Sequence, residues 1–460
     1  MTTPADVPLV VDLDGTLIRT DLLLETASRF VTQQPWRLTR LPGWLVQGRS
    51  RLKAELTSQA EVDVSSLPYD DHTLGWLREE HAAGRRLVLA SASDERLVRR
   101  VADHLGIFDE IHGSTSEVNL KGPRKRDLLV SRFGERGFDY VGDSRADEVV
   151  FDSALTAHRV ARPRGRARAF ARALRPHQWV KNALVALPLF TAQRLDDGGA
   201  VAATVLAVMT FSLTASATYL LNDIADVDSD RRHPIKRDRP FASGRLSLAT
   251  GWVAAPAMLV LAFALAAIWL PPVFVAVLAA YLVITVAYTV RLKRKAVLDV
   301  VTLGVLYTIR IVAGAAAITV SLSLWLLTFS MLFFLSLALV KRVSELTRLR
   351  RTQAGAMRGR GYLDADLELL SSYGVATSVG AVVIFSLYVN DPVTSELYET
   401  PELLWLTVPV LLAWLMRVWL RAHRGEMDED PIVFAIRDRA SLLAGGLIVL
   451  AFVAAKVVSS

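Results

Sequence analysis

The sequence predicts two domains of different class: an N-terminal α/β domain with a parallel sheet and a small helical cap, and a C-terminal all-α domain that crosses a membrane about nine times. Three observations predict it. First, 460 residues are more than one ordinary core accommodates. Second, 52% hydrophobic residues coexist with 22% charged ones, which a charged segment beside an apolar segment explains. Third, short apolar runs ending in acidic or hydroxyl residues mark the first 160 positions, whereas long apolar runs fill the chain from about 180 onward.

In the first segment, Val7–Val11 reads as a strand delivering Asp12-Leu13-Asp14-Gly15-Thr16-Leu17. Arg86–Ala90 delivers Ser91-Ala92-Ser93, and Phe138–Val141 runs into Gly142-Asp143-Ser144-Arg145-Ala146-Asp147. Sheets of this class build sites at the C-terminal ends of their strands, so three such endings make a metal–phosphate site. Asp21 to about Leu67 is expected to form the cap. In Asn119-Leu120-Lys121-Gly122-Pro123-Arg124-Lys125, Gly122-Pro123 leaves Lys121 in a loop and Lys125 at the opening of a helix.

These motifs resemble the haloacid dehalogenase phosphatases over about residues 7–155. The resemblance implies Asp12 as the nucleophile that becomes phosphorylated and Asp14 as the acid/base. Ser91 would hold phosphoryl oxygens, together with a lysine that is Lys125 or Lys121, the former favoured by its place in the helix. Mg²⁺ would lie among Asp12, Asp14, Asp143 and Asp147. A domain kept only as a scaffold is the plainer alternative, but every motif position carries a competent residue.

The second segment holds nine apolar runs of membrane-crossing length, near 179–194, 199–221, 248–270, 272–290, 298–317, 322–340, 372–389, 402–420 and 440–458; the first is short and amphipathic. With the N-terminus inside, loops 222–246, 291–297, 341–361 and 417–439 hold six, four, seven and five Lys and Arg. The loops near 195–198, 271–272, 318–321 and 390–401 hold none. Positive charge is retained on the cytoplasmic side during insertion, so the pattern predicts a multi-pass protein of the plasma membrane with the N-terminal domain cytoplasmic. The first twenty residues lack the basic and apolar regions of a signal peptide. Arg162–Arg175, with Arg164, Arg166, Arg168 and Arg172, reads as a basic linker at the membrane surface. The expected division is 1–160, a linker 161–176, and 177–460.

The net charge of +7 does not point to nucleic acid, because the basic residues gather in inter-helix loops rather than in an aromatic-interleaved stripe. The chain has no cysteine, which excludes disulfides and thiolate metal sites.

At the end of the second run stands Asn222-Asp223-Ile224-Ala225-Asp226-Val227-Asp228-Ser229-Asp230. Helical spacing puts Asp223, Asp226 and Asp230 on one face beside Asn222. Oxygen ligands that repel one another suit Mg²⁺ completed by substrate phosphates. A solvated acidic helix end is the simpler reading, but carboxylates at a helix C-terminus oppose its dipole. Lys236, Arg237 and Arg239 follow as phosphate donors.

The stretch resembles the Asp-rich signature of the UbiA superfamily of intramembrane transferases, over roughly residues 170–460. Arg175–Asn182, Asn222–Pro240 and Lys341–Leu346 look like the branch that joins phosphoribosyl diphosphate to a polyprenyl phosphate. Members that use polyprenyl diphosphates carry a second aspartate pair after the fourth helix; here only Asp299 is acidic, behind the basic cluster Arg291–Lys295. The resemblance implies Mg²⁺ on Asn222, Asp223, Asp226 and Asp230, with Asp226 at the reacting centre. Lys181, Asn182, Lys236, Arg237, Tyr288, Lys293, Asp299, Arg310, Lys341 and Arg342 would contact substrate. A phosphatase on the same face would remove the 5-phosphate of the lipid product. Two alternatives stand beside this reading: a prenyltransferase onto a small acceptor, and a transporter or scaffold with a regulatory phosphatase. Association with a second copy of the chain is compatible with all of them.

Overall fold

The computed structural model describes residues 7–161, 165–351, 361–427 and 430–457; Arg162 and Arg164 of the expected linker lie outside them. The chain divides into two compact units, Met1–Leu174 with Tyr219–Pro256, and Arg175–Thr218 with Ala257–Ser460.

The first unit begins with β1 (Leu9–Val11), followed by helices α1 (Leu22–Gln33), α2 (Leu41–Val46) and α3 (Arg49–Gln59), which are the cap, and by α4 (Asp71–Ala82). Then come β2 (Leu87–Asp94), α5 (Glu95–Leu105), β3 (Glu110–Ser114), α6 (Pro123–Phe133), β4 (Asp139–Gly142), α7 (Glu148–Ser153), β5 (Ala157–Arg159) and α8 (Arg166–Ala173). The five strands are parallel in the order β3-β2-β1-β4-β5. Leu9, Val10 and Val11 are fully or almost fully buried, as expected of a strand covered on both faces, and this is why β1 reads as an unbroken apolar run. The strand order reverses beside β1. That switch point places the ends of β1, β2 and β4 side by side and opens a crevice above them.

The apolar part contains a 3-10 stretch at Pro176–Ala186, then α9 (Leu187–Thr191), α10 (Gly198–Ala225), α11 (Val227–Arg232), α12 (Leu248–Trp269), α13 (Pro272–Val290), α14 (Leu298–Ala317) and α15 (Leu324–Arg351). It ends with α16 (Leu367–Val389), α17 (Pro392–Ser395), α18 (Thr407–His423), α19 (Pro431–Arg437) and α20 (Arg439–Val457). Among the described residues, eight helices are long and apolar enough to cross a membrane. The first of the nine expected crossings differs in kind. Pro188 follows it closely, and an α-helix continued through that point would lose a hydrogen bond and press the proline ring on the carbonyl of the preceding turn. The 11-residue stretch is a 3-10 helix instead, rising about 2 Å per residue and so about 22 Å. With the turn of α9 it reaches about 30 Å, the thickness of a hydrocarbon core.

Candidate functional site

In the first unit the three strand ends meet as the motifs require. Asp12, Asp14, Asp21, Leu23, Lys53, Ser93, Lys121, Lys125, Ser144 and Asp147 line a cavity of ≈ 390 Å³. The chain leaves β1 through Gly15 at φ +82, where a Cβ would stand 2.8 Å from Asp143 Oδ1. Only glycine lets the Asp12–Asp14 loop come this close to the Asp143 loop. Asp14 is fixed by three donors: Ser91 Oγ at 2.9 Å, Ser93 Oγ at 2.7 Å and the Leu22 amide at 2.8 Å.

Of the two candidate lysines, Lys125 is the one whose ammonium reaches the acids. It donates to Asp12 Oδ1 at 2.8 Å, to Tyr140 Oη at 3.0 Å and to Asp147 Oδ1 at 3.3 Å. Pro123 begins α6 at the position where proline fits best, which brings Lys125 into the first turn. Burial pushes the Asp12 carboxyl up to about 7 against the pull of Lys125. Burial opposes the charge of Lys125, yet Asp12, Tyr140 and Asp147 hold its amine well above the ordinary range.

Asp12, Asp143 and Asp147 bring one carboxylate oxygen each within 4.8 Å of one another, the only such trio among the described residues. Three hard oxygens at this separation, beside the Lys125 ammonium, fit a divalent cation of the Mg²⁺ type. Sequence reasoning passed over Lys53, which enters the cavity from α3 and donates to Asn119 Oδ1 at 2.9 Å; a lone lysine in a cap helix has no motif to mark it.

The Asp-rich segment also belongs to this unit. The helix that carries Asn222 and Asp223 ends at Ala225, and Asp226 caps α11. The backbone hydrogen bonds nevertheless run on, from Asp226 to Asn222 and from Asp230 to Asp226, both at 2.9 Å. Asp223 and Asp230 are buried. Their mutual repulsion is relieved by Arg239, which donates to Asp223 Oδ1 at 3.1 Å and to Asp230 Oδ2 at 2.7 Å. The carboxylates are thus spanned by a guanidinium and do not form a ready cage for a metal. Lys236 and Arg237 stand exposed on a short 3-10 turn.

In the second unit the remaining candidates apart from Lys293 form three polar groups. Lys181 and Lys341 converge on Asp430 Oδ2 at 2.8 and 3.0 Å, beside Leu303, Tyr307, Leu337 and Ile432. Burial works against the charge of Asp430, but Lys341 and Lys181 hold its carboxyl below the usual carboxylate range. Asp430 is absent from the motifs because a single aspartate in a charged loop carries no signal. In the next group Arg310 donates to Asn182 Oδ1 at 2.9 Å and to Tyr281 Oη at 3.1 Å, and Asn182 donates to Ser212 at 3.1 Å. The last group is built on Asp299, which is 0% exposed. It accepts from Tyr288 Oη at 2.7 Å and from Arg342 Nη2 at 3.1 Å, while Arg342 also binds Glu345. These two groups tie helices together, and their polar atoms are engaged with one another. Lys293 lies half-buried in the turn Leu292–Arg294.

Comparison with known proteins gives two family matches: the UbiA prenyltransferase family over residues 183–443 and haloacid dehalogenase-like hydrolase over residues 9–159. The chain is 38% identical to the "Uncharacterized protein y4nM" of Sinorhizobium fredii, across 97% of this chain and 91% of that one. It is 37% identical to the "Nodulation protein NoeC" of Azorhizobium caulinodans, across 62% of this chain and 93% of that one. It is also 37% identical to the decaprenyl-phosphate phosphoribosyltransferase of Mycolicibacterium smegmatis, across 58% of this chain and 86% of that one.

Proposed function

The chain belongs to the UbiA prenyltransferase family and carries a haloacid dehalogenase-like domain at its N-terminus, and from that premise we propose a bifunctional membrane enzyme that makes polyprenyl phosphoryl ribose. Its membrane part transfers 5-phosphoribose from phosphoribosyl diphosphate to a polyprenyl phosphate. Its N-terminal domain then removes the 5-phosphate. Both steps run at the cytoplasmic face of the plasma membrane. The functional division is 1–160 for the phosphatase and 177–460 for the transferase, joined by 161–176.

The observation that carries the reading is Asp299. It stands in the first turn of α14 with no other acidic residue in 291–305, and it is sealed against Arg342 and Tyr288. A prenyl diphosphate bound through two carboxylate clamps has no second clamp here. The likeness to a decaprenyl-phosphate phosphoribosyltransferase supports the same choice.

In the transfer, the lipid phosphate oxygen attacks C1 of the ribose and diphosphate departs. Asn222, Asp223, Asp226 and Asp230 would hold Mg²⁺ only together with the diphosphate, and its charge would offset that of the leaving group. Lys181 and Lys341, exchanging Asp430 for a phosphate, hold one anion, and Lys236 and Arg237 supply further charge. A phosphate monoester is already an anion at neutral pH, so no strong base is needed.

In the phosphatase step, the Asp12 carboxylate attacks phosphorus and the bond to ribose O5 breaks, with Asp14 giving that oxygen its proton. Asp14 then takes a proton from water, which attacks the phosphoryl group and regenerates Asp12. Ser91 and Lys125 hold phosphoryl oxygens. Asp12, Asp143 and Asp147 would hold Mg²⁺, whose charge offsets that of the phosphoryl oxygens.

Purified protein incubated with polyprenyl phosphate, labelled phosphoribosyl diphosphate and Mg²⁺ should yield a labelled lipid. Asp12→Asn should yield the same lipid with its 5-phosphate retained. Absence of labelled lipid, with transfer of a prenyl group to a small acceptor, would establish the alternative chemistry.

A further inference from the structure

One face of α1 ties the phosphatase pocket to the Asp-rich segment. Its N-terminal end belongs to the pocket: Asp21 and Leu23 line the cavity, and the Leu22 amide donates to Asp14 Oδ1 at 2.8 Å. Glu25, Ser28 and Arg29 follow at i, i+3 and i+4 spacing and therefore share a face. That face is occupied by the Asp-rich segment. Glu25 is 0% exposed and receives Arg231 through both terminal nitrogens, at 2.6 and 3.1 Å. Thr20 Oγ1 donates to the same carboxylate at 2.7 Å. Arg29, also buried, pairs with Asp228, and Trp252 Nε1 donates to Ser28 Oγ at 2.8 Å. At Gly244 the approach is so close that a Cβ would lie 2.4 Å from the Arg19 carbonyl oxygen.

Asp228 and Arg231 are both in α11, a helix of 6 residues. They alternate there with Asp226, its cap, and Asp230, the residue spanned by Arg239. Backbone bonds join it to α10 through the Asp226 and Asp230 amides, but the break at Asp226 leaves so short a segment to be oriented by its packing. Two ion pairs to a neighbouring helix hold it. Buried pairs add little net stability compared with apolar residues of equal size, which leaves geometry as what they supply.

We propose that Glu25 and Arg29, although part of the phosphatase domain, are positioning residues for the transferase: they set the orientation of α11 and with it the carboxylates of Asp226 and Asp230. The inference rests on the reading of this segment as the diphosphate site.

The test uses the full-length protein in an Asp12→Asn background, where only transfer is followed. Glu25→Gln should raise KM for phosphoribosyl diphosphate tenfold or more, with kcat changed less. The double exchange Glu25→Arg with Arg231→Glu should bring KM back to within about threefold. With Asp12 intact, Glu25→Gln should still hydrolyse a soluble phosphomonoester such as p-nitrophenyl phosphate. An unchanged KM beside a lowered melting temperature would mean that the pair only stabilises, and would overturn the proposal. If Glu25→Gln does not fold, Asp228→Asn, on the less buried pair, replaces it with the same expectation. A second measurement separates this inference from the reading beneath it: calorimetric binding of Mg²⁺–diphosphate in an Asp12→Asn/Asp143→Asn background. If no ribosyl transfer occurs in the parent protein, that reading fails. Diphosphate binding that weakens tenfold in Glu25→Gln still upholds the positioning role, and unchanged binding rejects it.

Discussion

Lys125 places one ammonium among Asp12, Tyr140 and Asp147 in a site where all four side chains are buried. Breaking a buried pair by removing one partner costs about 3–5 kcal/mol, because the other charge stays behind uncompensated. Lys125→Met should therefore lower the melting transition of the N-terminal domain and abolish its phosphatase activity. Mg²⁺ bound to the folded state would neutralise the same carboxylates. Saturating Mg²⁺ should thus raise the melting temperature more in Lys125→Met than in the parent; equal rises would show that Lys125 and the metal do not share those charges. Asp430 makes the opposite case, one carboxylate between two ammonium groups. Its carboxyl is held below the usual range, so its contribution is complete above the unfolded value of about 4 and is lost only as pH falls through the lower, folded value. Asp430→Asn should lower stability by about 3 kcal/mol, the low end for a buried pair because Lys341 is 32% exposed. The difference from the parent, measured by thermal melting, should be the same at pH 5 and pH 8. A difference that varied between those values would mean that the carboxyl titrates within that interval and is not held below the usual range.

Among the elements, the strands and long helices were legible because each repeats one physical signal. Leu9–Val11 is apolar on both faces, and the runs from 199 onward are too long and too apolar for anything but a membrane. The Asp12, Ser91 and Asp143 endings could be placed together because a parallel sheet offers only one rim for them. What escaped the sequence was pairing between elements. Helical spacing grouped Asp223 with Asp230, but nothing in the spacing says that Arg239, nine residues on, closes across them. Likewise Asn182, Arg310 and Arg342 are polar residues in apolar helices, which invites a substrate role; the partners that engage them come from distant helices. The contact of α15, α16 and α18 is of this kind. A Cβ on Gly374 would lie 2.0 Å from Trp419 Cη2. Trp419 has no room to yield, since its Nε1 donates to Ser336 and Ser378 at 3.0 and 2.8 Å. Small residues allow this approach in membrane helices, and overpacking costs about 1–3 kcal/mol. Gly374→Ala should lose that much in denaturation, and Gly374→Ala with Trp419→Leu should lose less than the sum of the two.

At the scale of the whole molecule, the 3-10 stretch decides the topology. The Glu25–Arg231 pair joins the N-terminal domain to the loop after α10, so both are expected on one side of the membrane. That loop is also rich in Lys and Arg, the mark of the cytoplasmic side. α10 must then begin on the opposite side, and the chain can reach its start only if residues 176–197 cross, at the rise of a 3-10 helix. Because the natural chain has no cysteine, single cysteines can report this without background. On intact cells a membrane-impermeant maleimide should label Asp196→Cys, Ser321→Cys and Glu396→Cys. It should label Glu117→Cys and Asp238→Cys only after permeabilisation. Labelling of Glu117→Cys and Asp196→Cys together on intact cells would mean that the 3-10 stretch does not cross, and the cytoplasmic assignment of the phosphatase would fall with it. Labelling of Asp196→Cys, Ser321→Cys and Glu396→Cys without Glu117→Cys and Asp238→Cys would put the 3-10 stretch across the membrane, with the N-terminal domain and the loop after α10 on the side away from the label.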